Sequence, residues 1–271
     1  MKFLMPLFFL FLILACHNQA EKKQKEAENS FDFDKNKNET TDHGFLLDSS
    51  AYYVDSIIRQ FIQSSLGTSK KEKYTYTVHK AMLNKDKAVD AIIAINRLDF
   101  AQQKAKETGA ETQAEKMAYM GPFNAFIFYD GRSNTFSPPT IVPSSPLLPL
   151  DIHFEHISSN QHKDAVIDFR IRNSSYKEVY FLFNNRPKKV FQWKNFDGLG
   201  SDSEEAYEFR FKLAQRSNVK DIVVYQANLG THPNKIDAFT YKPEIKTSND
   251  VIKRFFYVEK EGKYFSAKSG L

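Results

Sequence analysis

A single cysteine in a chain of 271 residues is the strongest constraint on what this sequence can fold into. With Cys16 alone there is no disulfide to staple the body, no thiol-based zinc site and no second thiol for redox chemistry, so packing must carry the fold. Cys16 also closes a distinctive opening: Met1, Lys2, then an unbroken apolar run from Phe3 to Ala15 with Pro6 inside it. A helix that crosses a hydrocarbon core of roughly 30 Å needs about twenty apolar residues. This run is too short, and its layout of basic start, apolar stretch and small residue at a cut is that of an export signal.

The last four residues of that opening, Ile13-Leu14-Ala15-Cys16, resemble the lipobox of bacterial lipoprotein signal peptides. The resemblance implies that residues 1–15 are removed and that Cys16 is diacylated on sulfur and acylated on its new amino terminus. The partner it implies is a membrane, reached through acylated Cys16, and the place is the cell envelope, at the outer membrane, on either face. At about 0.8 kcal/mol per buried methylene, two or more chains anchor lastingly where one is reversible. The competing reading is an ordinary secretory signal with Cys16 incidental. His17 follows the cysteine, where some lipoproteins carry an Asp that retains them at an inner membrane.

Residues 16–44 are almost free of large apolar side chains, with Phe31 and Phe33 isolated among Glu, Lys, Asn and Asp. Such a segment buries too little surface to offset the entropy of ordering, so a disordered tether is expected. Its mixed charge reads as a plain spacer or, by loose similarity, as a sorting signal of surface lipoproteins. The net charge of +5 divides unevenly: Lys2 lies in the leader and residues 16–44 hold five Lys against seven Asp or Glu, which leaves +6 from residue 45 onward. No basic block accompanies that mild excess, so nucleic acid is not an expected partner.

The body, 45–271, reads as mainly β with α+β character: antiparallel strand-turn-strand repeats and one N-terminal amphipathic helix. Val54, Ile57, Ile58, Phe61, Ile62 and Leu66 recur at helical spacing over 50–66, and Gly67 stands where a C-cap belongs. Strand patterns follow at 74–78, 91–95 and 126–129, the last running into Asp130-Gly131. Residues 99–120 read either as a solvated helix or as an excursion from the body. Five of the ten prolines fall in 137–149, an extended connection that divides the body into two halves, read as related. Beyond it strands are predicted at 151–155, 165–171, 178–183, 190–193, 206–213, 222–226 and 238–241, with a closing hairpin of 255–258 and 263–266.

Three strands start alike, at Asp90-Ala91-Ile92-Ile93, Asp164-Ala165-Val166-Ile167 and Asp221-Ile222-Val223-Val224. The approach to the first, Met82-Leu83-Asn84-Lys85-Asp86-Lys87-Ala88-Val89-Asp90, resembles the Asp-rich loops of FG-GAP and VCBS repeats. That resemblance implies β-propeller modules whose loops hold calcium, with Asn84, Asp86 and Asp90 as ligands. Two positions depart from it: Met82 replaces the first Asp, and Lys87 replaces the glycine of the sharp turn. Calcium takes six to eight oxygens, and three side chains fall short; the competing reading is a polar turn whose aspartates cap it through hydrogen bonds to the backbone.

His153-Phe154-Glu155-His156 is a second candidate metal cluster, although on a strand only His153 and Glu155 share a face, and zinc takes three or four ligands. Trp193, near Arg186, Lys188 and Lys189, is either a ligand-binding platform or a core side chain sharing a face with Phe191. No catalytic residue is assigned, no cofactor is implied, and no nucleophile elbow, metalloprotease helix or phosphate loop occurs. The function expected is therefore a non-catalytic binding or structural module of the envelope, meeting another envelope protein or a glycan. The alternative is an envelope hydrolase whose residues are scattered along the chain.

Overall fold

The computed structural model describes residues 51–266 except 216 and 234. Cys16, the leader at 1–15 and the segment 16–44 lie outside the described residues. The body is mainly β, built from two antiparallel sheets. Helix α1 (Ala51–Leu66) comes first. The first sheet then runs in the order β1 (Thr75–Ala81), β2 (Asp90–Asn96), β3 (Gly121–Asp130) and β4 (Thr135–Phe136), with β5 (Thr140–Ser144) also pairing β3. Two short helices, α2 (Leu98–Glu107) and α3 (Glu111–Lys116), fill the excursion between β2 and β3, and α2 buries only Ala101 and Ala105.

Strand β2 shows how the layers form. All seven of its residues are buried, and side chains alternate across a strand. Ala91, Ile93 and Ile95 therefore face α1, where they pack with Ile57, Ile58, Ile62, Ile127 and Tyr129. Ile92 and Ala94 face the other way and join Phe126, Phe128 and Val142 against the second sheet. A short continuous apolar run is what a strand covered on both sides requires.

The second sheet is an eight-stranded meander: β6 (Asp151–Glu155), β7 (Asp164–Ile171), β8 (Ser174–Phe183), β9 (Arg186–Asp197), β10 (Glu205–Lys212), β11 (Asp221–Leu229), β12 (Ile245–Val258) and β13 (Lys263–Ser266). Its outer face presents Ile152, Ala165, Ile167, Phe169 and Tyr180 to the first sheet. Its inner face folds back on itself. In a flat sheet β8 and β13 would lie about 24 Å apart at roughly 4.8 Å per strand. The Phe181 and Tyr264 rings are instead 6.2 Å apart, and Phe191 of β9 is 5.9 Å from Tyr264. The curl encloses a core of Val166, Val179, Phe181, Phe191, Val224, Phe255 and Tyr264.

Three local expectations change. Residues 238–241 are not a strand: Phe239 N–H and the Thr240 hydroxyl both donate to the Asp237 carboxylate, which winds the segment into a turn. Strand β12 begins ten residues before the expected Phe255. Of the proline segment 137–149, residues 140–144 form β5, paired only with β3 and so at an edge, where Pro143 removes no needed donor.

Candidate functional site

Strands β9 and β10 pair over only two residue positions, Glu205 with Asp197 and Ala206 with Phe196, and then part. Beside this parting lies a cleft of about 720 Å³. Strands β7 to β10 supply its floor, β1 contributes Thr77 and His79, and the segments 148–151 and 242–247 form its rim.

The floor lies on the inner face of the curled sheet, where the side chains turn polar. Asp168 pairs with Lys177 across β7 and β8, and Lys177 with Trp193 across β8 and β9. The Lys177 ammonium donates to both Asp168 oxygens at 2.7 and 2.8 Å, and Asn195 Nδ2 donates to Oδ1 at 2.9 Å and to the Ser175 hydroxyl at 3.1 Å. Phe209 lies under the Lys177 ammonium, 5.7 Å from its ring centre. Glu208 is held by Arg210 through two bonds of 3.1 Å, and at the rim Asp151 faces Lys242 at 3.5 Å. Each carboxylate that lines the cleft thus faces a cation.

Arg170 differs. It follows Asp168 on the same face of β7, opposite Ser175, and is only 5 % exposed. Its Nη2 donates to the Ala238 carbonyl at 2.6 Å, its guanidinium sits 4.6 Å over the Phe196 ring, and its Nε has no partner. Burial lowers its pKa to about 10, so it remains a cation at neutral pH.

The residues singled out from the sequence are dispersed. Asp90 is fully buried and accepts the Leu83 and Gly131 N–H groups, each at 3.0 Å, and burial pushes its pKa up to about 6. Asn84 accepts from Asp86 N–H at 2.9 Å and Asp86 from Ala88 N–H at 2.8 Å, so these oxygens turn onto their own loop. Lys87 takes the left-handed conformation, φ 66°, that a glycine would adopt freely. Gly131 is required for a different reason: a Cβ there would run into the Val89 carbonyl.

His153 and Glu155 lie on β6, opposite Val166 and Asp164. Burial lowers the His153 pKa, Lys177 adds to that, and Asp168, Glu155 and Asp151 oppose it. His156 turns to the His162 carbonyl at 2.9 Å. Among the described residues, no group of three or more His, Cys, Asp or Glu side chains is placed to hold a metal ion. Trp193 packs edge-on to Phe255 and Tyr207, with centres 5.3 and 6.3 Å away, and Lys253 lies over its ring. Of its basic neighbours in sequence, Lys189 binds Glu178 and Lys188 covers Phe183.

One cluster has no counterpart in the sequence reading. Ser158 Oγ lies 2.8 Å from Asp164 Oδ1 and 3.2 Å from His162 Nε2. In a catalytic triad the acid orients the histidine; here Asp164 holds the serine and the Ile157 and Ser158 N–H groups, while His162 Nδ1 is buried without a partner. The arrangement clasps the loop before β7. No family model, curated protein or solved structure matches this chain.

Proposed function

We propose that this chain is an exported lipoprotein of the cell envelope, held at the outer membrane through acylated Cys16, whose β-rich body is a binding module. The observation that carries the binding reading is the cleft beside the β9–β10 parting: it is preformed, and each of its carboxylates faces a cation instead of standing free as a general acid or base. The hydrolase alternative draws on Ser158, His162 and Asp164 alone, where the acid is bonded to the wrong partner.

In this reading the body is made of related strand-turn-strand units, preceded by the amphipathic helix α1. Asp90 and Asp164 support the kinship: each carboxylate accepts the N–H of the residue seven positions upstream, Leu83 and Ile157. Asp221 starts its strand similarly but faces Arg254 at 3.5 Å.

Two measurements test the proposal. The Cys16→Ser chain should stay uncut or, if cut, pass from the detergent phase to the aqueous phase, and a cut chain with unchanged partitioning overturns the anchor. Purified full-length protein incubated with isolated envelope glycan and peptide polymers should release no fragments. Release that is lost in Ser158→Ala would replace the binding module with the hydrolase.

A further inference from the structure

We infer that the cleft binds a small organic monoanion, a carboxylate on an apolar body, with the Arg170 guanidinium as its counter-charge; this rests on the binding-module reading above. A guanidinium offers five N–H donors, and Arg170 uses one, toward Ala238. Among the described residues no carboxylate lies within ion-pair distance of it. The acid whose field reaches it, Asp237, has its oxygens engaged by Phe239 N–H at 3.0 Å and the Thr240 hydroxyl at 2.6 Å. A charge taken out of water without a partner is costly, and the Phe196 face compensates it only partly.

Charge matching sets the ligand's valence. Asp168 already pairs with Lys177, Asp151 faces Lys242 and Glu208 binds Arg210, which leaves Arg170 as the one lining cation without an ion-pair partner among the described residues. A dianion such as phosphate would bring a second negative charge with no counterpart. The walls set the body: Leu148, Pro149, Leu150, Phe169, Pro243 and Ile245 are apolar, and Ser175 and Asn195 add hydroxyl and amide groups beside the guanidinium. About 720 Å³ suits a compact molecule, since small-ligand sites run from about 300 to 1,000 Å³.

The test is calorimetric titration of the full-length protein with 4-phenylbutyrate, its uncharged amide, glucuronate and inorganic phosphate. The acid should bind at least about tenfold more tightly than the amide, the ratio a charged hydrogen bond supplies. Arg170→Gln should bring the acid down to the amide's affinity, and Arg170→Lys should restore part of the difference. The comparison of acid with amide on the unaltered chain needs no variant, so a misfolded Arg170→Gln leaves the test intact. Equal binding of acid and amide overturns the counter-charge and leaves a binding cleft. Tighter binding of glucuronate or phosphate overturns the apolar monoanion. Failure of all four to bind overturns the inference, whereas failure of the binding-module reading shows separately, as polymer digestion.

Discussion

Along the inner face of the curled sheet, two regions share strands and differ in what fills them. Toward one end β7, β8 and β9 contribute Val166, Val179, Phe181 and Phe191, which meet Phe255 and Tyr264 from the far strands in an apolar core. Toward the other end the same strands contribute Asp168, Arg170, Ser175, Lys177 and Asn195, and the β9–β10 ladder parts. Burial of apolar surface draws the sheet into a curl where side chains interlock, and hydrated charges resist the same closure. The closed end holds the fold, and the open end is free to hold something else.

The largest effect belongs to the closed end. Phe191 meets Phe209, Phe255 and Tyr264 edge to face. Phe191→Ala should cost about 3–5 kcal/mol in urea denaturation, the range for removing a buried ring from a packed core. A loss under about 1 kcal/mol would mean that contact across the curl does not stabilise the sheet.

Much of this division is visible along the strands, and its geometry is not. The alternation in Ala165 to Ile171 marks a strand, and Asp168 and Arg170 at alternate positions inside that apolar run were the available sign of a polar face. The strand pattern does not reveal that the sheet curls, so Phe191 and Tyr264 give no hint that they meet. Nor does it reveal that β9 and β10 separate beyond Phe196 and Ala206, because both strands keep a strand pattern past that point. The turn at 238–241 departs from the strand expected there for a local reason: its apolar residues resemble a strand, but Asp237 captures the Phe239 N–H. Asp164 is legible as a turn cap because its bonds to the Ile157 and Ser158 N–H groups are local, whereas the bond of Asp90 to Gly131 joins segments far apart in sequence and is not.

The next effect sits at the loop feeding the closed end. Asp164→Ala removes an acceptor from the Ile157 and Ser158 N–H groups and should cost about 2–4 kcal/mol, since a buried donor left unpaired costs about 1–3 kcal/mol. Its pH dependence has a definite sign. Burial raises the Asp164 pKa to about 6, above its ordinary 3.8, so between these values the folded chain holds a proton that the unfolded chain has released. The stability this group contributes is therefore full below about pH 4, falls as pH rises, and is lost above about pH 6. Urea midpoints from pH 4 to 7 should show a smaller decline in Asp164→Asn than in the unaltered chain, with Asp90 supplying the remainder. Identical profiles would place the titration elsewhere.

The smallest effect probes the open end and bears most directly on the contrast. Asp168→Ala strands the Lys177 ammonium, whose side chain is 12 % exposed, and should cost about 1–2 kcal/mol, between the values for surface and buried pairs. Removing both charges together, in Asp168→Leu with Lys177→Met, should cost less than the single change, under about 1 kcal/mol, because no unpaired charge remains and Asn195 keeps its bond to Ser175. If the pair serves recognition more than stability, the double variant folds nearly as well as the original chain. A loss larger than that of Asp168→Ala would show that the ion pair itself props the cleft open, making the open end as structural as the closed one.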